Sequence, residues 1–178
     1  MTREEKILEI IKEKKVDFPN FEEISFSLKL DEEPLPYARE RHTRFGGKNG
    51  KGRFYNKRAT YMNRIHDIFN KQVDKDLRKK IDKIIANKET KKYYVDLEGR
   101  FYIKIPKSDS MKTAALKEMQ MIRPTVVRGD VDNYIKLILD VLHNIVYDDD
   151  AHVINIKSEK YYSLYPRVEL DIKIRYEV

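Results

Sequence analysis

The 178-residue chain contains no cysteine. Disulfides and thiolate metal sites are therefore excluded, and a cytoplasmic location is the expectation. Any metal must be held by carboxylates or by the four histidines. No run of about 18 apolar residues occurs, so no segment reads as membrane-spanning. The opening Met1-Thr2-Arg3-Glu4-Glu5-Lys6 lacks the apolar core of a signal peptide. Acidic residues nearly vanish between Arg39 and Arg64. There Arg39, Arg41, Arg44, Lys48, Lys51, Arg53, Lys57, Arg58 and Arg64 face Glu40 alone, a surplus of eight positive charges. The formal net charge is +7, so the remainder sums to −1. Charge concentrated in this way suits a polyanion. A solvated basic loop is the competing reading. Nucleic acid is favoured because Gly46, Gly47, Gly50 and Gly52 free the backbone to follow a phosphate chain.

What is present reads as one α+β domain with a small mixed or antiparallel sheet, residues 21–178, preceded by a helical extension over 1–20. Arg3 to Lys14 has an apolar stripe, with Thr2 and Glu5 forming a capping box. Packing on the core is the default for this helix; extending a dimer or binding a partner are the alternatives. Ile24 to Leu30 alternates as a strand, stopped by Pro34 and Pro36. Lys57 to about Ile85 reads as helix. Tyr94 to Ile105 reads as strand, with a turn at Leu97-Glu98-Gly99. A helix capped by Ser108 or Ser110 runs to about Met121, before Arg123-Pro124. A further helix starts at Asp130 or Asp132 and reaches His143 or Asn144. It is apolar almost all round, hence buried and central. His152 to Tyr162 and Val168 to Tyr176 are the closing strands.

The chemistry is expected in Gly129-Asp130-Val131-Asp132-Asn133-Tyr134-Ile135-Lys136 and in Tyr147-Asp148-Asp149-Asp150. Asp130 and Asp132 share a helix start. Asp132, Lys136 and Asp140 recur every four residues on one helical face, and Asp140 is expected to pair with Lys136. A chain reversal after the helix could return Asp148 to Asp150 beside the first pair. Three converging carboxylates repel unless a cation sits among them. Oxygen ligands without sulfur favour Mg²⁺ or Mn²⁺. Lys136 could then offset charge on a pentacoordinate phosphorus. Capping of a helix and a polar turn are the structural alternatives for these acids.

At these residues the sequence strongly resembles the RusA family of Holliday junction resolvases, typically encoded in prophages. The resemblance is carried by Arg123-Pro124, Asp130-Val131-Asp132-Asn133, Lys136, Asp140, Asp149-Asp150-Ala151-His152 and Pro166-Arg167-Val168-Glu169-Leu170, and covers about Phe21 to Glu177. It implies a homodimeric, Mg²⁺-dependent endonuclease that cuts four-way DNA junctions with paired symmetric nicks. It selects Asp130, Asp132 and Asp150 as catalytic, metal-binding carboxylates, Asp149 as a neighbouring metal acid and Lys136 as the catalytic lysine. Two departures stand out. His152 replaces the usual Gln, and reads as a polar strand residue rather than a ligand. Arg128 is the only charge in Thr125 to Arg128, where the family can be richly basic, so the Arg39 to Arg64 stretch is expected to supply DNA contacts alongside Arg128. Tyr55, Tyr61, Tyr161, Tyr162 and Tyr165 could stack on unpaired bases, although half-buried packing is the commoner use of strand tyrosines. A nuclease acting on flaps, forks or RNA, and a DNA-binding protein without catalysis, are the competing functions.

Overall fold

A computed structural model describes residues 1–13, 19–37, 57–125 and 129–178 of the chain. In chain order the elements are α1 (Arg3–Lys12), β1 (Phe21–Leu30), α2 (Lys57–Gln72), α3 (Lys75–Ala86), β2 (Tyr93–Lys104), α4 (Met111–Glu118) and α5 (Val131–Leu142). A 3-10 turn (Asp150–His152), β3 (Val153–Ser163) and β4 (Arg167–Glu177) complete it. The four strands form one mixed sheet in the order β1-β4-β2-β3. β3 runs parallel to β2, which requires the crossover through α4 and α5. β4 is antiparallel to both β1 and β2. The fold is a single α+β domain.

One face of the sheet carries the core. Alternate residues of β2 from Tyr93 to Ile103 are buried, as are Val168, Leu170, Ile172 and Ile174 of β4. α5 lays Tyr134, Ile135, Leu137, Ile138, Val141 and Leu142 on that surface, and α2 adds Tyr61, Ile65 and Phe69. α5 is therefore the central helix, but it is not apolar all round, because Asp132 and Lys136 stay exposed along one edge.

Several element boundaries differ from those expected of the sequence. The stretch from Lys57 to Ile85 is two helices. Asp74 interrupts it by turning its carboxylate onto the backbone N–H of Asp76 and Leu77, capping α3. α4 ends at Glu118, before Arg123-Pro124 is reached. Gln120 adopts φ +62°, and the amides of Gln120 and Met121 bond back to the carbonyls of Lys117 and Leu116, a Schellman closure. α1 keeps its capping box, yet none of its residues is buried, contrary to the packing expected of its apolar stripe.

No turn forms at Leu97-Glu98-Gly99; β2 passes straight through. Gly99 serves the packing of α5. A Cβ there would lie 3.0 Å from both Ile135 Cδ1 and Phe101 Cε2. In an open strand Gly→Ala stabilises by about 0.5–1 kcal/mol. Here overpacking outweighs that gain, so Gly99→Ala is expected to destabilise by about 1–2 kcal/mol, read from the urea midpoint. A neutral or stabilised variant would show that α5 is not seated this tightly.

The opposite sheet face is polar and internally paired. Arg100 reaches Glu98 at 2.9 Å, Glu169 at 3.2 Å and Asp171 at 2.6 Å. Lys157 meets Glu98, and Arg175 meets Asp96. A groove of about 520 Å³ on this face has its acids engaged in these pairs. Burial raises the Glu169 carboxyl, but Arg167 and Arg100 more than offset it; for Asp171, Ser27 and Arg100 do the same. Both carboxyls end below the ordinary range. Such groups add stability above their unfolded pKa of about 4, and that stability is lost as pH falls through the lowered folded value. Arg100→Gln is therefore expected to cost about 1–2 kcal/mol at pH 7. It should also flatten the fall in stability below about pH 4. Urea titrations at neutral and acid pH check both, and an unchanged acid limb would remove Arg100 from this role.

Candidate active site

The start of α5 is set by contacts from two other elements. Gly129 sits at φ +109°, and a Cβ there would meet Pro36 Cβ at 2.7 Å. Its carbonyl accepts from Lys160 Nζ of β3 at 3.0 Å. The Tyr37 amide donates to the Asn133 carbonyl at 2.8 Å. These contacts leave Asp130 in the N-cap position with extended backbone (φ −77°, ψ 154°). The caps Thr2, Asp74, Ser110 and Asp149 each accept a backbone N–H. Asp130 makes no side-chain cap bond. Asp132 follows, exposed, in the first turn. Among the described residues no hydrogen bond or ion pair engages either carboxylate. Both stand at the positive end of the helix dipole.

One turn on, Lys136 Nζ lies 4.8 Å from the centre of the Tyr37 ring. Arg58 of α2 lies over the same ring at 4.5 Å and forms an ion pair with Asp140. Asp140 is thus the partner of Arg58, not of Lys136 as expected. Helical side chains lean towards the N-terminus, which carries the lysine away from Asp140.

The second acidic group follows α5. His143 Nε2 lies 2.8 Å from the Asp148 carbonyl. The Asp148 carboxylate accepts from Lys88 and from the Tyr93 hydroxyl. Burial raises the Asp148 carboxyl, but these two donors overcome it, and the net direction is down. Asp149 caps the 3-10 turn through the Ala151 amide at 2.9 Å. That bond, with the Asp150 contact next, lowers its carboxyl too. Asp150 is exposed. Asp140, Asp148, Asp149 and Asp150 line a cavity of about 540 Å³ with Arg58 and His143. His152 stacks on Tyr93 with ring centres 3.9 Å apart, its Nδ1 3.2 Å from the Tyr93 carbonyl.

The chain reversal therefore brings Asp148 to Asp150 beside the last turn of α5, not the first. α5 runs against β2: Tyr134 stacks on Phe101, whereas Asp148 reaches Tyr93, eight strand residues or about 26 Å away. Asp132 and Asp140 are likewise about 12 Å apart along the helix axis. Among the described residues no group of three or more acids or histidines is arranged to hold a metal ion. The carboxylates are strung along one helix edge, with Lys136 between them.

Of the expected DNA contacts, Arg39, Arg41, Arg44, Lys48, Lys51, Arg53 and Arg128 lie outside the described residues. Lys57 opens α2, and Arg58 sits at the acidic edge. Of the tyrosines considered for base stacking, Tyr55 lies outside the described residues, and Tyr61 and Tyr162 are buried. Tyr161 is stacked on Tyr102 and lies under Arg123. Only Tyr165, 75% exposed, offers an open ring among the four described. Sequence reasoning missed Tyr37, which follows the proline break with no periodic signal, and the Lys88–Asp148 tie, which joins residues 60 apart.

Fold and site together define an α+β domain that presents carboxylates and one lysine along the edge of a buried helix. The chain belongs to the RusA family: the sequence model of endodeoxyribonuclease RusA matches residues 31–173. It is also 40% identical over 81 residues to the uncharacterized protein YqaN of Bacillus subtilis strain 168. That match covers 44% of this chain and 56% of YqaN, so the chain spans about half the length of the curated relative. No helix among the described residues is long and apolar enough to cross a membrane.

Proposed function

We propose that the protein is a Mg²⁺-dependent, structure-specific endodeoxyribonuclease that resolves four-way DNA junctions by paired nicks in recombination and repair. The observation that carries this reading is the unspent pair Asp130 and Asp132. A cap residue whose carboxylate makes no cap bond is free for another task, and it stands one to two turns from an exposed lysine. The donor set is all oxygen, which fits Mg²⁺, with Mn²⁺ as a substitute. Asp130 and Asp132 would hold the ion from the helix start, and Asp150, with Asp149 beside it, is the third carboxylate that the family motif assigns. A bound divalent cation would polarise the scissile phosphate and acidify a coordinated water.

Water attacks phosphorus in line, leaving 5′-phosphate and 3′-hydroxyl ends. Lys136 places its ammonium where charge develops on the phosphate oxygens. The basic stretch from Arg39 to Arg58 holds the DNA backbone. The protein acts as a homodimer, matching the two equivalent strands of a junction.

The test is a cleavage gel with a four-way junction, a flap and a linear duplex, in Mg²⁺ and in EDTA. Symmetric nicking of the junction alone, lost in EDTA, is expected. Cutting of flaps with the junction intact assigns the same chemistry to another substrate. Binding without cleavage in any divalent metal leaves a DNA-binding protein.

A further inference from the structure

The modest net charge outside Arg39 to Arg64 conceals a second basic segment. Lys75 to Lys92 carries eight basic side chains against three acidic ones, a surplus of five. In the fold this segment is α3 and the turn leading into β2. Within the segment Asp76 faces Lys79 at 3.7 Å. Lys80 is held by Glu22 at 3.6 Å and lies over Tyr176. Lys83, Lys91 and Lys92 form no ion pair among the described residues. With Lys80 they rim a cavity of about 300 Å³ floored by Ile84 and Tyr176. Glu177 also lines it, and its carboxylate accepts the Lys92 amide at 3.2 Å.

Position gives this patch its meaning. Lys88 in the same turn is paired to Asp148, and Tyr93, directly after the turn, donates to the same carboxylate. Asp148 is chain-adjacent to Asp149 and Asp150. The turn that carries Lys91 and Lys92 is thus tied to the acidic loop through Lys88 and Tyr93. The open sheet face, by contrast, has its charges paired off and offers no comparable field.

We propose that Lys83, Lys91 and Lys92 form a second docking surface, which takes the phosphate backbone of a double-stranded DNA arm leaving the acidic edge. The proposal deepens the nuclease reading and rests on it for the identity of the polyanion. Lysines on an apolar floor make point-charge contacts without reading bases, so the surface holds an arm of any sequence.

The experiment compares the full chain with Lys83→Gln/Lys91→Gln/Lys92→Gln. A charge-matched control, Lys104→Gln/Lys107→Gln/Lys112→Gln, alters exposed lysines at and beyond the far end of β2. Binding to a four-way junction and to a linear duplex is measured by anisotropy in EDTA from 50 to 300 mM salt. Each lost phosphate contact should lower the magnitude of the log K against log salt slope by about 0.9. The first variant is expected to lose about two to three units of slope. Its affinity near 0.1 M salt should fall at least about tenfold, for both DNAs alike. The control should change the slope by less than about one unit.

Equal losses in both variants would reduce the effect to net charge and overturn the proposal. So would an unchanged slope in the first variant, or an unmodified protein that binds neither DNA. Loss of binding to anionic phospholipid vesicles with duplex binding intact would assign the surface to a membrane and reject DNA. Junction cleavage by the unmodified protein in Mg²⁺ is scored separately. Failure there with the slopes as expected removes the nuclease reading and leaves the surface standing.

Discussion

Asp132→Asn is expected to reduce junction cleavage by more than about a thousandfold, roughly 4 kcal/mol of barrier, while junction binding survives. The carboxylate is exposed in the first turn of α5 and, among the described residues, holds no other in place. Its removal therefore takes a negative ligand from the proposed cation site without opening the core. The only folding cost expected is the lost interaction with the helix dipole, about 0.3–1 kcal/mol. Binding should be equal or tighter, because one negative charge facing a polyanion is gone. Single-turnover cleavage, anisotropy and a thermal melt on the same preparation separate these effects. A variant that cuts at the normal rate would withdraw Asp132 from the site. One that neither binds nor melts normally would make it structural.

The second large effect is expected at Lys136. Lys136→Gln should lower kcat by about 10²–10³-fold, the scale seen when one preorganised donor to a developing anion is removed. KM should move little, since phosphate contacts elsewhere carry most of the binding. The lysine makes no ion pair among the described residues; its described neighbour is the Tyr37 ring at 4.8 Å. If Lys136 acts as proposed, Tyr37→Leu is expected to cost about tenfold in kcat, since a cation over a ring is worth about 0.5–1 kcal/mol near the surface and orientation adds the rest. A KM effect with kcat intact would make Lys136 a backbone contact instead.

Both predictions concern residues that were legible in the sequence. Their neighbours were not. Asp132, Lys136 and Asp140 were visible as a row because a helix repeats every 3.6 residues, whatever packs against it. That Asp140 is taken by Arg58 depends on where α2 docks, which no local spacing encodes. Gly99 shows the same limit. Beside Leu97 and Glu98 it reads as a turn, yet it is a strand residue kept small by Ile135, 36 positions along the chain. Asp74 starts α3 and Gln120 closes α4 through bonds to nearby amides and carbonyls. Those signals were local but competed with a continuous apolar period that pointed the other way.

Composition and spacing were enough to establish the α+β class, the buried central helix and the two acidic groups flanking it. These follow from periodicity, from turn residues and from the absence of sulfur ligands. The family motif named Asp130, Asp132 and Asp150 as one set. Only the tertiary structure decided how far that set is gathered in a single chain. α5 lies antiparallel to β2, so its start and the loop after its end reach opposite ends of the same strand. A helix is a rigid spacer of about 1.5 Å per residue, and twelve residues keep their two ends apart. Sequence order places side chains along that spacer; packing on the sheet fixes what each end can meet.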